Sequence, residues 1–151
     1  MSVFTIFKIA SQGMTAQRER LEAASANLAN ANSTRSATGK PYQRRDVVFS
    51  SQEMASTWAD TAAENGLLGE PKINPQGVRS EVVVAPEDQY ITQYQPGHPD
   101  ADKNGYVRLP DVDPLEETVN MLSAARSFEA NATVFNTAKE IARLSINLGD
   151  A

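Results

Sequence analysis

The sequence predicts an α+β chain in which long N- and C-terminal helices pair as a coiled-coil-like hairpin around a small β-rich middle lobe. Three observations predict it. Apolar residues recur at helical spacing over residues 3–31 and again over residues 115–145. Seven of the eight prolines fall between residues 33 and 112. That same middle stretch carries β-branched and aromatic runs separated by turn dipeptides. The expected organisation is therefore residues 1–32 and 113–151 as the two halves of a terminal-helix unit, with residues 33–112 as the lobe between them.

At the N-terminal end, Val3, Phe7, Ala10, Met14, Gln17, Leu21, Ala24, Leu28 and Ala31 follow alternating steps of four and three. This is an a/d heptad seam with one polar interruption, Gln17. No proline precedes Pro41. A helix over residues 3–31 would be about 43 Å long at 1.5 Å per residue. Asn30-Ala31-Asn32-Ser33-Thr34 then supplies poor helix formers that end it.

In the middle, Val47-Val48-Phe49, Val78 to Val84, Tyr90 to Tyr94 and Tyr106 to Leu109 are expected strands. Asn65-Gly66, Asn74-Pro75, Pro96-Gly97 and Asn104-Gly105 are expected turns. Met54, Ala55, Trp58 and Ala62 have the spacing of a short helix.

The C-terminal helix has a sharp start. Asp113 is placed as N-cap, Pro114 as the first helical residue and Glu116 as the return partner of a capping box, with Glu117 adding charge favourable to the helix dipole. No glycine or further proline follows until Gly149. Leu115, Val119, Leu122, Ala125, Phe128, Ala132, Phe135, Ala138 and Ala142 are expected to trace one face over a helix of about 52 Å. Average helices are about 11–12 residues, so two helices roughly three times longer imply apolar surface beyond what one hairpin covers. These two seams are the expected assembly interface.

Composition narrows the function classes. The chain has 151 residues, a net charge of −5 and only one adjacent basic pair, Arg44-Arg45, expected as solvated surface. Without a basic block, nucleic acid is not an expected partner. Absence of cysteine removes thiolate catalysis and Cys-based zinc sites. The N-terminus lacks a basic region before its apolar stretch, so export, if it occurs, is expected to read an uncleaved N-terminus.

Candidate chemistry is sparse. Asp100, Asp102, Asn104 and Asp111 fit part of a calcium loop, with oxygens at positions 1, 3 and 5 and a turning Gly105. Asp111 is short for the position where a bidentate Glu belongs, and Pro96 and Pro99 forbid the entering helix. The expected reading is a tight turn in which Asp and Asn side chains accept backbone amides. His98 is the single histidine and has no catalytic partner in the sequence. No metal, cofactor, small-molecule substrate or catalytic residue is expected. Asn27, Asn30, Asn32, Asn131 and Asn136 lie among alanines, where amides can fix helix register.

Asn27-Leu28-Ala29-Asn30-Ala31-Asn32-Ser33 closing an amphipathic helix resembles the flagellar axial protein family of rod, hook and hook-associated proteins. Tyr94 to Asp102, Asn104 to Val107, Leu109 to Asp113, Arg126 to Asn131 and Asn136 to Lys139 are similar to the rod members of that family. The resemblance covers both helices and the segment from about residue 90 onward. It implies a non-enzymatic, exported subunit of a periplasmic rod, polymerising into a helical drive shaft. Its partners would be copies of itself, other rod proteins and, in transit, the flagellar type III export apparatus. The implied arrangement puts terminal helices inside and the middle lobe outside. A coiled-coil adaptor unconnected with flagella is the alternative that the helices alone allow.

Overall fold

The computed structural model describes residues 3–36, 39–53 and 76–149. Helix α1 spans Val3–Asn30, strands β1 to β4 span Arg45–Glu53, Gln76–Val84, Tyr90–Tyr94 and Tyr106–Pro110, and helix α2 spans Pro114–Gly149. Every expected helix and strand among the described residues is present, the helices within a residue of the expected ends. The expected short helix and the Asn65-Gly66 and Asn74-Pro75 turns lie outside the described residues.

The two helices run antiparallel. Asn27 bonds Glu117 and Gly13 packs on Asn131, while Phe7 meets Phe135 with ring centroids 4.9 Å apart. Each α1 residue thus faces an α2 residue whose number rises as its own falls. Alanine makes this approach close: Ala10 and Ala24 on α1, Ala31 just after it, and Ala124 and Ala138 on α2 are buried. A small side chain at the seam brings the backbones together and places dispersion contacts along the whole length.

The expected α2 face needs correction. Its buried positions recur as Glu117, Ala124 and Ala138, with Asn131 and Phe135 half-buried. Leu115, Val119 and Leu122 are 73%, 59% and 54% exposed, on the opposite side. The sequence trace took three successive steps of three, which rotates it around the helix, whereas packing holds a seven-residue repeat.

Strands β1 and β2 form an antiparallel ribbon, with Arg45 opposite Val84 and Glu53 opposite Gln76. It lies along α1. Its base is tied to Asn27 through Arg45, and its far part meets Gln12 through Gly77. Seven strand residues rise about 23 Å, and the fifteen helix residues between Asn27 and Gln12 rise about 22 Å. Equal rises keep ribbon and helix in step. Ala16 and Ala23, buried but off the α2 seam, belong to this second face of α1. The ribbon has no alternating buried face: Val48, Phe49, Val82, Val83 and Val84 are all exposed. A two-stranded sheet laid on one helix cannot cover both its sides, and among the described residues the expected lobe is two separate two-stranded sheets.

The second hairpin pairs Tyr90 with Pro110 and Tyr94 with Tyr106. Pro110 is tolerated there because it closes a strand at a sheet edge. Asp113 Oδ1 accepts the Leu115 amide at 2.8 Å, forming the expected N-cap. The capping box is half made: Glu116 turns to Arg44 instead of returning to Asp113.

Candidate assembly surface and its polar anchor

The buried polar residues sit where three segments converge: the last turns of α1, the entry to β1 and the first turn of α2. Asn27, 1% exposed, uses its whole amide. Its Nδ2 donates to the Arg45 carbonyl at 2.8 Å and to Glu117 Oε2 at 3.2 Å. Its Oδ1 accepts from the Arg45 amide at 2.9 Å and the Tyr42 hydroxyl at 3.0 Å. Bonding both the amide and the carbonyl of one residue makes the Asn27 side chain act as a neighbouring strand to the start of β1. With all four valences filled, burial of the amide costs little.

Glu117 is 2% exposed. Its Oε1 lies 2.9 Å from Arg44 Nη2, an ion-pair contact whose angle does not make a hydrogen bond. Arg44 Nη2 donates to Glu116 Oε1 at 2.9 Å, and Asp46 Oδ1 stands 3.5 Å from its Nε. Burial works against the Arg44 charge, but the hydrogen bond to Glu116 and the nearby Asp46 and Glu117 outweigh it and hold its pKa above the ordinary value. Burial also raises the Tyr42 hydroxyl; Arg45 opposes that shift and Glu117 adds to it. One guanidinium thus serves three carboxylates, Asp46, Glu116 and Glu117, an arrangement that ties the entry of β1 to the first turn of α2.

The expectation of Arg44-Arg45 as solvated surface holds for Arg45, which is exposed, and is corrected for Arg44. Arg44 is mostly covered and bridges β1 to α2. Glu117, assigned by sequence to the helix dipole, does lie in the first turn of α2 and is also the buried partner at the seam. Neither role is visible locally, because each requires the 72- and 73-residue chain separation to be closed. Asn27 was visible, as an amide on an alanine-rich face.

The remaining candidates disperse. Asn131 is half-buried against Gly13, Asn30 Nδ2 donates to the Ala26 carbonyl at 2.8 Å, and Asn32 and Asn136 are exposed. Along the predicted seams, Phe7, Met14, Leu21 and Leu28 are half-buried, as are Ala125, Ala132, Phe135 and Ala142, while Phe128 remains partly exposed. The side chain of Val3 lies outside the description.

The loop candidates point to different partners. Asp102 Oδ1 accepts the Asn104 and Tyr106 amides at 2.8 and 2.9 Å. Asp100 accepts from Thr34 Oγ1 at 2.8 Å and faces Arg35 at 3.4 Å. Asp111 accepts from Gln89 at 3.0 Å, and His98 Nδ1 accepts the Asp100 amide at 3.1 Å. Among the described residues no cluster of three or more metal-ligating side chains occurs, and no helix is long and apolar enough to cross a membrane.

Besides the exposed valines and Phe49 of the ribbon, the helices carry two exposed apolar places among the described residues. One is the Leu115, Val119 and Leu122 stripe. The other is the far end of the hairpin, where Phe4, Ile141, Leu144 and Ile146 are exposed. There α2 continues past the level at which α1 begins.

A flagella basal body rod protein family model matches residues 7–37, and a flagellar basal body rod FlgEFG protein C-terminal model matches residues 103–148. The chain is 38% identical over 149 residues to the flagellar basal-body rod protein FlgC of Escherichia coli O6:H1, covering 99% of each chain. It is 36% identical over 154 residues to FlgC of Borreliella burgdorferi, covering 97% of each, and 32% identical over 155 residues to FlgC of Bacillus subtilis, covering 99% of each. Similarity therefore runs through the exposed ribbon as well as both helices, and the chain belongs to the FlgC family of flagellar basal-body rod proteins.

Proposed function

We propose that this chain is a structural subunit of the flagellar basal-body rod that joins its neighbours through the apolar surface its own hairpin leaves uncovered. The observation that carries the reading is the Leu115, Val119 and Leu122 stripe on α2, exposed along the side opposite the seam. Apolar side chains at i, i+4 and i+7 on a helix already packed on its other side suit a further helix. The exposed end around Phe4, Ile141 and Leu144 supplies a second patch. Two different patches on one chain favour heterologous contacts, which propagate as a helical array instead of closing into a dimer.

The neighbours in this reading are copies of the chain and other rod proteins. The subunit reaches a periplasmic rod through the flagellar export apparatus with its N-terminus uncleaved. Its terminal helices form the inner layer, and residues 33–112 face outward. Replacing Leu115 and Leu122 together by Glu tests it. The isolated variant should keep its helicity and melting temperature and fail to restore motility to cells lacking the native subunit. Full motility with the doubly charged stripe would defeat the proposal.

A further inference from the structure

The seam between α1 and α2 contains little that distinguishes one alignment from another. Glu117, Ala124, Asn131 and Ala138 are spaced by seven, and so are Met121, Phe128, Phe135 and Ala142. Across from them, Ala10, Gln17, Ala24 and Ala31 are also spaced by seven. Sliding one helix by a heptad, about 10 Å, would bring small residues against small residues again. Apolar burial in such a seam is nearly periodic and selects register weakly.

The polar anchor is not periodic. We infer that the Asn27–Glu117 hydrogen bond, with the Arg44 and Arg45 groups around it, sets the register in which α1 and α2 pair. In the observed alignment Asn27 fills four hydrogen bonds and Glu117 meets both Asn27 and Arg44. A slide in one direction sets Asn27 against Ala124 and leaves Glu117 beyond the end of α1. A slide in the other carries Asn27 past the start of α2; Arg20 then approaches Glu117, but the bonds to Asn27 and Arg44 are lost. Either slide leaves the buried Glu117 carboxylate without Asn27 and Arg44 and takes from Asn27 the one of its four bonds that reaches α2, and that penalty has no counterpart in the apolar seam.

A second mark points the same way. A Cβ on Gly13 would stand 2.9 Å from Asn131 Nδ2. The missing side chain at 13 makes room for Asn131, and a slide would press Asn131 on Ile6 or Arg20 instead. The device acts in the single chain, so it holds whether or not the assembly reading does.

The absence of cysteine allows a direct test. Spin labels are placed in the full chain through Ser11→Cys and Ser123→Cys, both exposed positions, and their separation is measured by double electron–electron resonance. The otherwise unchanged chain should give one narrow distance. Adding Asn27→Leu and Glu117→Leu, which keeps the seam apolar, should add populations displaced by several ångströms while helicity is retained. If the paired leucines prevent folding, Asn27→Ala, which the alanine-rich seam accommodates, carries the same expectation. A helical variant of either kind with a single unshifted distance overturns the inference, as does a native chain that already samples several registers. Arg18→Ala, which breaks only the exposed pair with Glu22, should leave the distance unchanged.

Discussion

Phe7 and Phe135 meet across the helix pair with centroids 4.9 Å apart and planes inclined at 56°, near the end where α1 begins. They are the aromatic contact in a seam of alanines, medium-sized aliphatic residues and the polar Asn27–Glu117 and Gly13–Asn131 contacts. Tilted aromatic pairs contribute about 0.5–1.5 kcal/mol beyond area burial. Both rings are half-buried, so either Phe→Ala change should cost about 2 kcal/mol, below the range for fully buried rings. The double variant should lose about 1 kcal/mol less than the sum of the singles. Urea denaturation of the four proteins measures that coupling; strict additivity would mean that the rings pack independently.

The two helices, their length and the strand positions were legible because each is announced by local chemistry. Asp113 and Pro114 begin α2, and Asn30 to Thr34 end α1. The outward side of Leu115, Val119 and Leu122 was not legible. Leucine and valine at helical spacing look the same whether they face a partner within the chain or outside it. The Arg44–Glu117 contact was equally hidden, since charge at residue 117 is already explained by the helix dipole. The exposed ribbon defeated its β-pattern for a related reason: Val82 to Val84 read as a strand, and among the described residues the ribbon lies along α1 alone.

Tyr42 donates its hydroxyl to Asn27, and burial raises its pKa above the ordinary value near 10. The proton is held more tightly in the folded chain than in the unfolded one. Its stabilising contribution is therefore complete below the unfolded value and is lost as pH rises through the raised folded value. Tyr42→Phe should cost about 1 kcal/mol at neutral pH. That gap should narrow in denaturation series taken at increasing alkaline pH. In the difference between native and Tyr42→Phe absorbance titrations, the tyrosinate signal should appear above pH of about 10. A gap independent of pH would show that the hydroxyl does not titrate against the fold.

The Asp102 turn makes an opposite kind of demand, on the backbone. Gly105 has φ of +82°, and a Cβ there would lie 2.9 Å from Tyr94 Cε2 and 3.1 Å from Pro96 Cβ. Gly105→Ala meets both the left-handed strain and the crowding, and should cost about 1–2 kcal/mol. Asp102→Ala removes the acceptor of two amides and should cost a similar amount. Asp102→Asn retains an oxygen at the same place and should recover most of the loss. If the carboxylate instead served a cation, Asn would fail like Ala, and calcium would raise the melting temperature of the native chain alone. Thermal melts of the three proteins with and without calcium separate the two roles.

The far end of α2 offers the sharpest separation between folding and assembly. Antiparallel pairing that sets Asn27 beside Glu117 and Gly13 beside Asn131 brings the start of α1 level with Ile141. Among the described residues α1 reaches no further than that level, and beyond it Leu144 and Ile146 are exposed. Removing residues 144–151 therefore takes away the Leu144 and Ile146 surface, which the single chain leaves exposed. The truncated chain should melt within about 2 °C of the full one, because changes away from packed contacts usually stay within about 0.5 kcal/mol. Its loss should appear in incorporation into rods, scored by motility in cells lacking the native subunit. A large drop in melting temperature would place these turns in the monomer's own packing. Unimpaired motility would remove this end from the assembly surface and leave the Leu115 stripe as its principal part.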